Sequence, residues 1–97
     1  MPKVSEIKID HEKMLNNVTG LDNYQHPKQD YIARIKAMTD KELSAECESK
    51  IWLSAYAANN PRSDYHWHVD ALWNECGRRN SPSIYDNAYK QVEKQAE

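Results

Sequence analysis

His66 and His68, on either side of Trp67, join Cys47 and Cys76 as the residues with the chemistry to hold a metal ion or to act as a nucleophile. Their spacing works against both uses. On a helix, residues two apart point about 200° away from each other, so His66 and His68 do not converge on one ion. His68 and Cys76 are eight residues apart, about 12 Å along a helix axis. A zinc ion with ligands at about 2.0–2.3 Å cannot bridge that gap. The same distance excludes a dyad of Cys76 with either histidine, which leaves Cys47 with His68 as a pairing between helices. No CxxC or HxxxH occurs, and the isolated Gly20 and Gly77 form no phosphate-cradling loop. Paired acids such as Glu42 and Glu46 lie one helical turn apart, but a general acid needs a pocket that shifts its pKa. The expectation is a non-enzymatic chain with no cofactor and no metal.

Recognition is the chemistry that remains, and two features point to it. Asp40, Glu42, Glu46 and Glu48 crowd into nine residues, with Lys41 alone against them. Glu42 and Glu46 would stand about 6 Å apart along a helix, close to the phosphate spacing of a nucleic-acid strand. Such a ridge suits a basic groove; the competing reading is a solvated face with an i,i+4 pair from Glu46 to Lys50. Trp52, Tyr56 and Trp67 fall off the main apolar stripes, and Trp and Tyr are enriched among interface anchors. They compete with a packing role under residues 1–26 or against a neighbouring helix.

DNA binding is the alternative. Two helices joined by a Pro-containing turn loosely suggest a helix-turn-helix, with Arg78 and Arg79 on phosphate. The reading helix would then present His66, Trp67, Asp70 and Asn74, with Glu75 beside them. Two acids and no base make a poor major-groove surface. The chain has 13 basic and 15 acidic residues, a net charge of −2, and no basic field.

The elements that position these residues can be read from periodicity and punctuation. Residues 1–26 read as an irregular or loosely packed segment, with a short strand around Ile7 and one helical turn over 14–20 as local options. Pro27 suits a first helical position, and Tyr31, Ile35 and Met38, flanked by Ile32, make one apolar stripe. Thr39-Asp40-Lys41-Glu42 is a capping box that starts a second helix almost without a linker. That helix runs to about Ala58, with Leu43, Cys47, Ile51, Ser54, Ala55 and Ala58 on one stripe. Asn59-Asn60-Pro61 stops it, and Ser63 or Asp64 caps the next helix. Tyr65, Val69, Leu72, Trp73 and Cys76 form its core stripe, and Gly77 ends it. Ser81-Pro82 opens a fourth helix with Ile84, Tyr85, Ala88, Tyr89 and Val92 buried. The fold class is therefore all-α: one domain, a small bundle of about four helices over 27–96.

With 97 residues, a single core is the expectation. No apolar run reaches the roughly 18 residues that span a membrane. The N-terminal MPKVSEIKIDHEK is neither a secretory signal nor a transit peptide, so an intracellular protein is expected. Two cysteines in such a chain read as buried thiols in a reducing compartment.

The stretch from His26 to Tyr85, above all ECESKIWLSAYAANNPRSDYHWHVDALWNECGRRN (Glu46 to Asn80), resembles small phage and prophage proteins with anti-CRISPR activity against the type I-F surveillance complex. The resemblance implies a cytoplasmic inhibitor in the infected bacterial host, without cofactor or catalysis. Its partners would be the large subunit and backbone subunits of that complex, and target DNA would be kept out. No direct contact with nucleic acid or membrane is implied. An acidic surface would meet lysines and arginines that normally hold DNA phosphates. Here that surface would be Asp40, Glu42, Glu46 and Glu48, with Asp10, Glu12 or Asp64 nearby and Trp67 as an aromatic contact. A net charge of −2 is mild for a DNA mimic, so the mimicry would be local or steric blocking would dominate.

Overall fold

The computed structural model describes residues 10–56 and 65–96. Among them are five helices and no strand: α1 (His11–Asn16), α2 (Lys28–Ala37), α3 (Asp40–Tyr56), α4 (His66–Arg78) and α5 (Pro82–Ala96). The all-α reading holds, with one helix more than the periodicity suggested. No helix among the described residues is long and apolar enough to cross a membrane. The option of a strand at Ile7, the end of the second helix at Ala58, and residues Ser63 and Asp64 lie outside the described residues; the N-cap of α4 is Tyr65, without a side-chain cap bond, and not Ser63 or Asp64.

The core forms where the apolar stripes meet. Ile32 and Ile35 of α2, Leu43, Cys47 and Ile51 of α3, Leu72 and Cys76 of α4, and Ala88 and Val92 of α5 are all buried in one cluster. α3 packs along α5 and α4, and α4 also carries α2 and α1.

Residues 10–26 depart from the expectation of a loose segment. Asp10 caps α1 by accepting from the Lys13 backbone N–H at 3.0 Å. Leu15 is fully buried in the common core. Beyond α1 the Gln29 amide donates to the carbonyls of Leu15 and Val18, at 2.9 and 2.7 Å, and satisfies the open end of that short helix. A helix this short has too few residues to show a periodic stripe, so one leucine was its whole signal.

The punctuation of α2 and α3 follows the sequence closely. Pro27 precedes α2 as its N-cap. At Thr39 the capping box closes in both directions. The Thr39 N–H donates to Glu42 Oε1 at 2.9 Å, and the Glu42 N–H donates to Thr39 Oγ1 at 3.2 Å.

α4 differs most from its sequence reading. Gly77 lies inside the helix, where a Cβ would run into the His11 ring of α1. It is the close approach of α1 that needs glycine there. The left-handed residue that stops α4 is Asn80, at φ 58°. The Ser81 N–H reaches Cys76 O at 2.9 Å and the Asn80 N–H reaches Gly77 O at 3.0 Å, which is a Schellman closure with Asn in the glycine position. Trp73, expected in the core, is 40% exposed, whereas Asn74 and Glu75, expected to point outward, are buried. α1 explains part of the exchange, since His11 Nδ1 lies 2.9 Å from Asn74 Oδ1 and its ring meets Trp73 edge-on. On α5, Ala88 and Val92 are buried as read, but Tyr89 is 48% exposed.

Candidate functional site

The acidic ridge divides once its side chains are traced. Glu46 turns inward, where it accepts from the Tyr31 hydroxyl at 2.7 Å and from Lys50 Nζ at 3.0 Å. The i,i+4 pair with Lys50 thus forms, and Glu46 leaves the ridge. Burial first, then the bond to Glu46, pushes the Tyr31 phenol far above its ordinary range. Asp40 stays 71% exposed but is paired with Arg79 Nη1 at 2.9 Å. Glu42 is exposed, and the two Thr39 bonds, the backbone one first, hold its carboxyl below the usual range.

Glu48 has a different neighbourhood. It lines a shallow groove of about 370 Å³ with Ser49, Trp52, Leu53 and Gln95, so an acid and a large aromatic one turn apart share the outer face of α3. Trp52 is 41% exposed. Asp10 is spent as the α1 cap. Glu12 is exposed on α1 and lies close enough to Arg78 to favour its charged form. Asp64 lies outside the described residues. Trp67 is only partly open: it packs on the core, meets the Tyr31 ring edge-on at 5.3 Å between centroids, and lies 3.9 Å from the His68 ring. The packing alternative for Trp67 is thus present, with the residue half-buried.

The arginines at the end of α4 form a clasp that the sequence did not reveal. Glu75 is fully buried, and its carboxylate accepts from Arg78 Nε and Nη2, both at 2.7 Å, and from Arg79 Nε at 2.6 Å. Burial pushes its carboxyl up, but the two guanidinium groups outweigh that and hold it below the ordinary range. Arg79 Nη2 continues to the carbonyls of Ile35 and Met38 at 2.9 and 2.7 Å, the unpaired end of α2. One guanidinium thus ties α4, the end of α2 and Asp40 of α3 together. Arg79 is engaged at all three of its nitrogens, and Arg78 commits Nε and Nη2 to Glu75.

The candidate catalytic and metal residues disperse. His66 Nδ1 lies 3.2 Å from Ser54 Oγ of α3, while His68 packs on Tyr31 of α2, 4.6 Å between centroids. Cys47 and Cys76 are both buried and free, and the hydrogen bond between their thiols, then burial, drives Cys47 well above the thiol range. Among the described residues no three His, Cys, Asp or Glu side chains are arranged to hold a metal ion.

A concave region absent from the sequence reading lies between the 20–27 loop and α2, α3 and α4. Its larger lobe, about 390 Å³, is lined by Asp22, His26, Asp30, Arg34, Lys50 and His68, among others. Asp22 builds the loop, its Oδ1 accepting from the N–H groups of Tyr24 and His26 at 2.8 and 2.9 Å. Asp22 followed two and four residues later by those donors was the only local signal.

No protein-family model, curated protein or solved structure matches the chain.

Proposed function

We propose that the protein is a non-catalytic, phage-encoded inhibitor that binds a type I-F CRISPR surveillance complex in the host cytoplasm and keeps target DNA out. The reading rests on the resemblance over Glu46–Asn80. The observation that carries it against DNA binding is the clasp: Arg78 and Arg79, the two bases a DNA-binding reading would place on phosphate, are bound to Glu75.

The contact face in this proposal is the outer side of α3. Glu48 and Trp52 supply a negative charge beside an aromatic anchor, and Asp40 and Glu42 lie at the start of the same helix. Trp anchors contribute strongly where a partner desolvates them. A rim carboxylate facing lysines and arginines speeds association and loses that effect in salt. With charge confined to a few residues, steric blocking carries much of the inhibition.

Capture of a purified type I-F surveillance complex by the tagged protein tests the reading, at low and high salt. Stoichiometric, salt-weakened capture is expected, together with loss of the complex's DNA gel shift and no shift by the protein alone. Absence of capture at both salts, or a DNA shift by the protein alone, overturns it. Trp52→Ala and Glu48→Lys should each weaken capture about tenfold or more, in the range of an interface anchor. Undiminished capture by both variants removes the α3 face from the proposal.

A further inference from the structure

The loop-flanked cleft carries charged and aromatic groups that neither the core nor the inhibitor reading uses. Its larger lobe shares Asp22, Lys50 and His68 with a second lobe of about 170 Å³ walled by Tyr24, Tyr65 and Trp67. The shared residues place a charged lobe and an aromatic lobe side by side.

Two carboxylates, Asp22 and Asp30, line the cleft beside the cations. Asp22 Oδ1 holds two backbone N–H groups, and those bonds keep its carboxyl below the usual range. Glu46, behind the wall, holds the Tyr31 hydroxyl and one Lys50 N–H. Asp30 is left at the solvent-exposed rim.

A guanidinium carries five N–H groups and an ammonium three. Arg34 lies over the Tyr31 ring at 5.8 Å and Lys50 over the same ring at 5.9 Å. Lys28 lies 5.1 Å from the Trp67 ring centre. The buried Trp67 indole N–H has no acceptor among the described residues. A buried donor left unmatched is costly.

We infer that this cleft is a binding site for a small anion carrying a flat ring, of the nucleoside monophosphate class. Arg34 and Lys50 take the phosphate, as charge-assisted donors do. The aromatic lobe takes the base by stacking, which works for any flat π face. The combined size suits a nucleotide. The inference stands independently of the inhibitor reading.

Titration of the full chain with AMP, adenosine and inorganic phosphate, followed by the indole N–H resonance of Trp67, tests it. AMP should shift that resonance saturably and bind about tenfold or more tightly than either fragment. Arg34→Ala removes an exposed side chain outside the core, so the fold should persist by circular dichroism while AMP affinity falls about tenfold. A saturable shift with adenosine of equal affinity would exclude the phosphate role. Equal responses to AMP and inorganic phosphate would reduce the site to counterion binding, and no shift up to millimolar AMP would eliminate it. AMP free or at the end of a strand offers the same chemistry; a 5′-phosphorylated dinucleotide that competes with AMP identifies the strand end, and one that does not identifies the free nucleotide.

Discussion

Glu75 and Glu48 are both helix glutamates, and their surroundings set them at opposite extremes. Glu75 is buried on α4 and holds three guanidinium hydrogen bonds, whereas Glu48 lies in an open groove beside Trp52 on the outer face of α3. In the first region Arg79 joins α4 to the end of α2 and to Asp40, and Arg78 closes on Glu75 within α4. In the second, charge and aromatic surface face outward. The comparison teaches that the number of acids in a stretch says little about how much negative surface it presents. Of the four ridge residues, Glu46 is drawn to the core side, Asp40 to Arg79 and Glu42 to its own cap.

The largest effect should come from breaking the clasp. Arg79→Ala removes the donor to the α2 carbonyls and to Glu75, and a buried pair broken on one side costs about 3–5 kcal/mol. Urea denaturation at neutral pH measures it; a loss below about 1 kcal/mol would put the clasp on a par with a surface ion pair. Leu15→Ala comes next, at about 2–5 kcal/mol, because α1 contributes a fully buried leucine to the common core. If unfolding is unchanged, residues 10–16 are not part of the cooperative unit.

Acidification sharpens the contrast further. Glu75 has a folded-state pKa below its unfolded value, so its stabilising contribution is present above the ordinary carboxylate pKa and is lost as pH falls through the lowered one. The wild-type urea midpoint should therefore drop between neutral pH and pH about 3. The drop should be smaller in Arg79→Ala, where one of the two guanidinium groups that lower the Glu75 carboxyl is gone; equal drops in both proteins would assign the acid loss to other carboxylates. Thr39→Ala should cost about 1 kcal/mol through the capping box. Smallest is Glu48→Lys, with a stability change within about 0.5 kcal/mol while complex capture falls. A large loss of stability there would return Glu48 to the structural side of the comparison.

Local chemistry made several elements legible. The reciprocal Thr39–Glu42 bonds, the Pro27 and Pro82 starts, and the stripes of Ile32–Ile35 and Leu43–Cys47–Ile51 all depend on residues within one or two turns. The candidate site was less legible. Glu48 and Trp52 were both singled out, but not their shared groove, and the Asp22–Arg34–Lys50 cleft joins segments distant in sequence.

By itself the sequence determined the helical class, the starts of α3 and α5 and most of the core stripe, because propensity, caps and periodicity are short-range. Only the tertiary structure decided the edge of the buried face of α4: Leu72 and Cys76 lie inside as read, but Asn74 and Glu75 are drawn in and Trp73 is left out. α1 settled across that face, with Gly77 clearing space for His11, and it pairs with Asn74 while Glu75 is closed in under Arg78 and Arg79. A polar side chain at the edge of an apolar stripe is not assigned to one side by periodicity, and its burial is set by whichever neighbour brings matching hydrogen bonds.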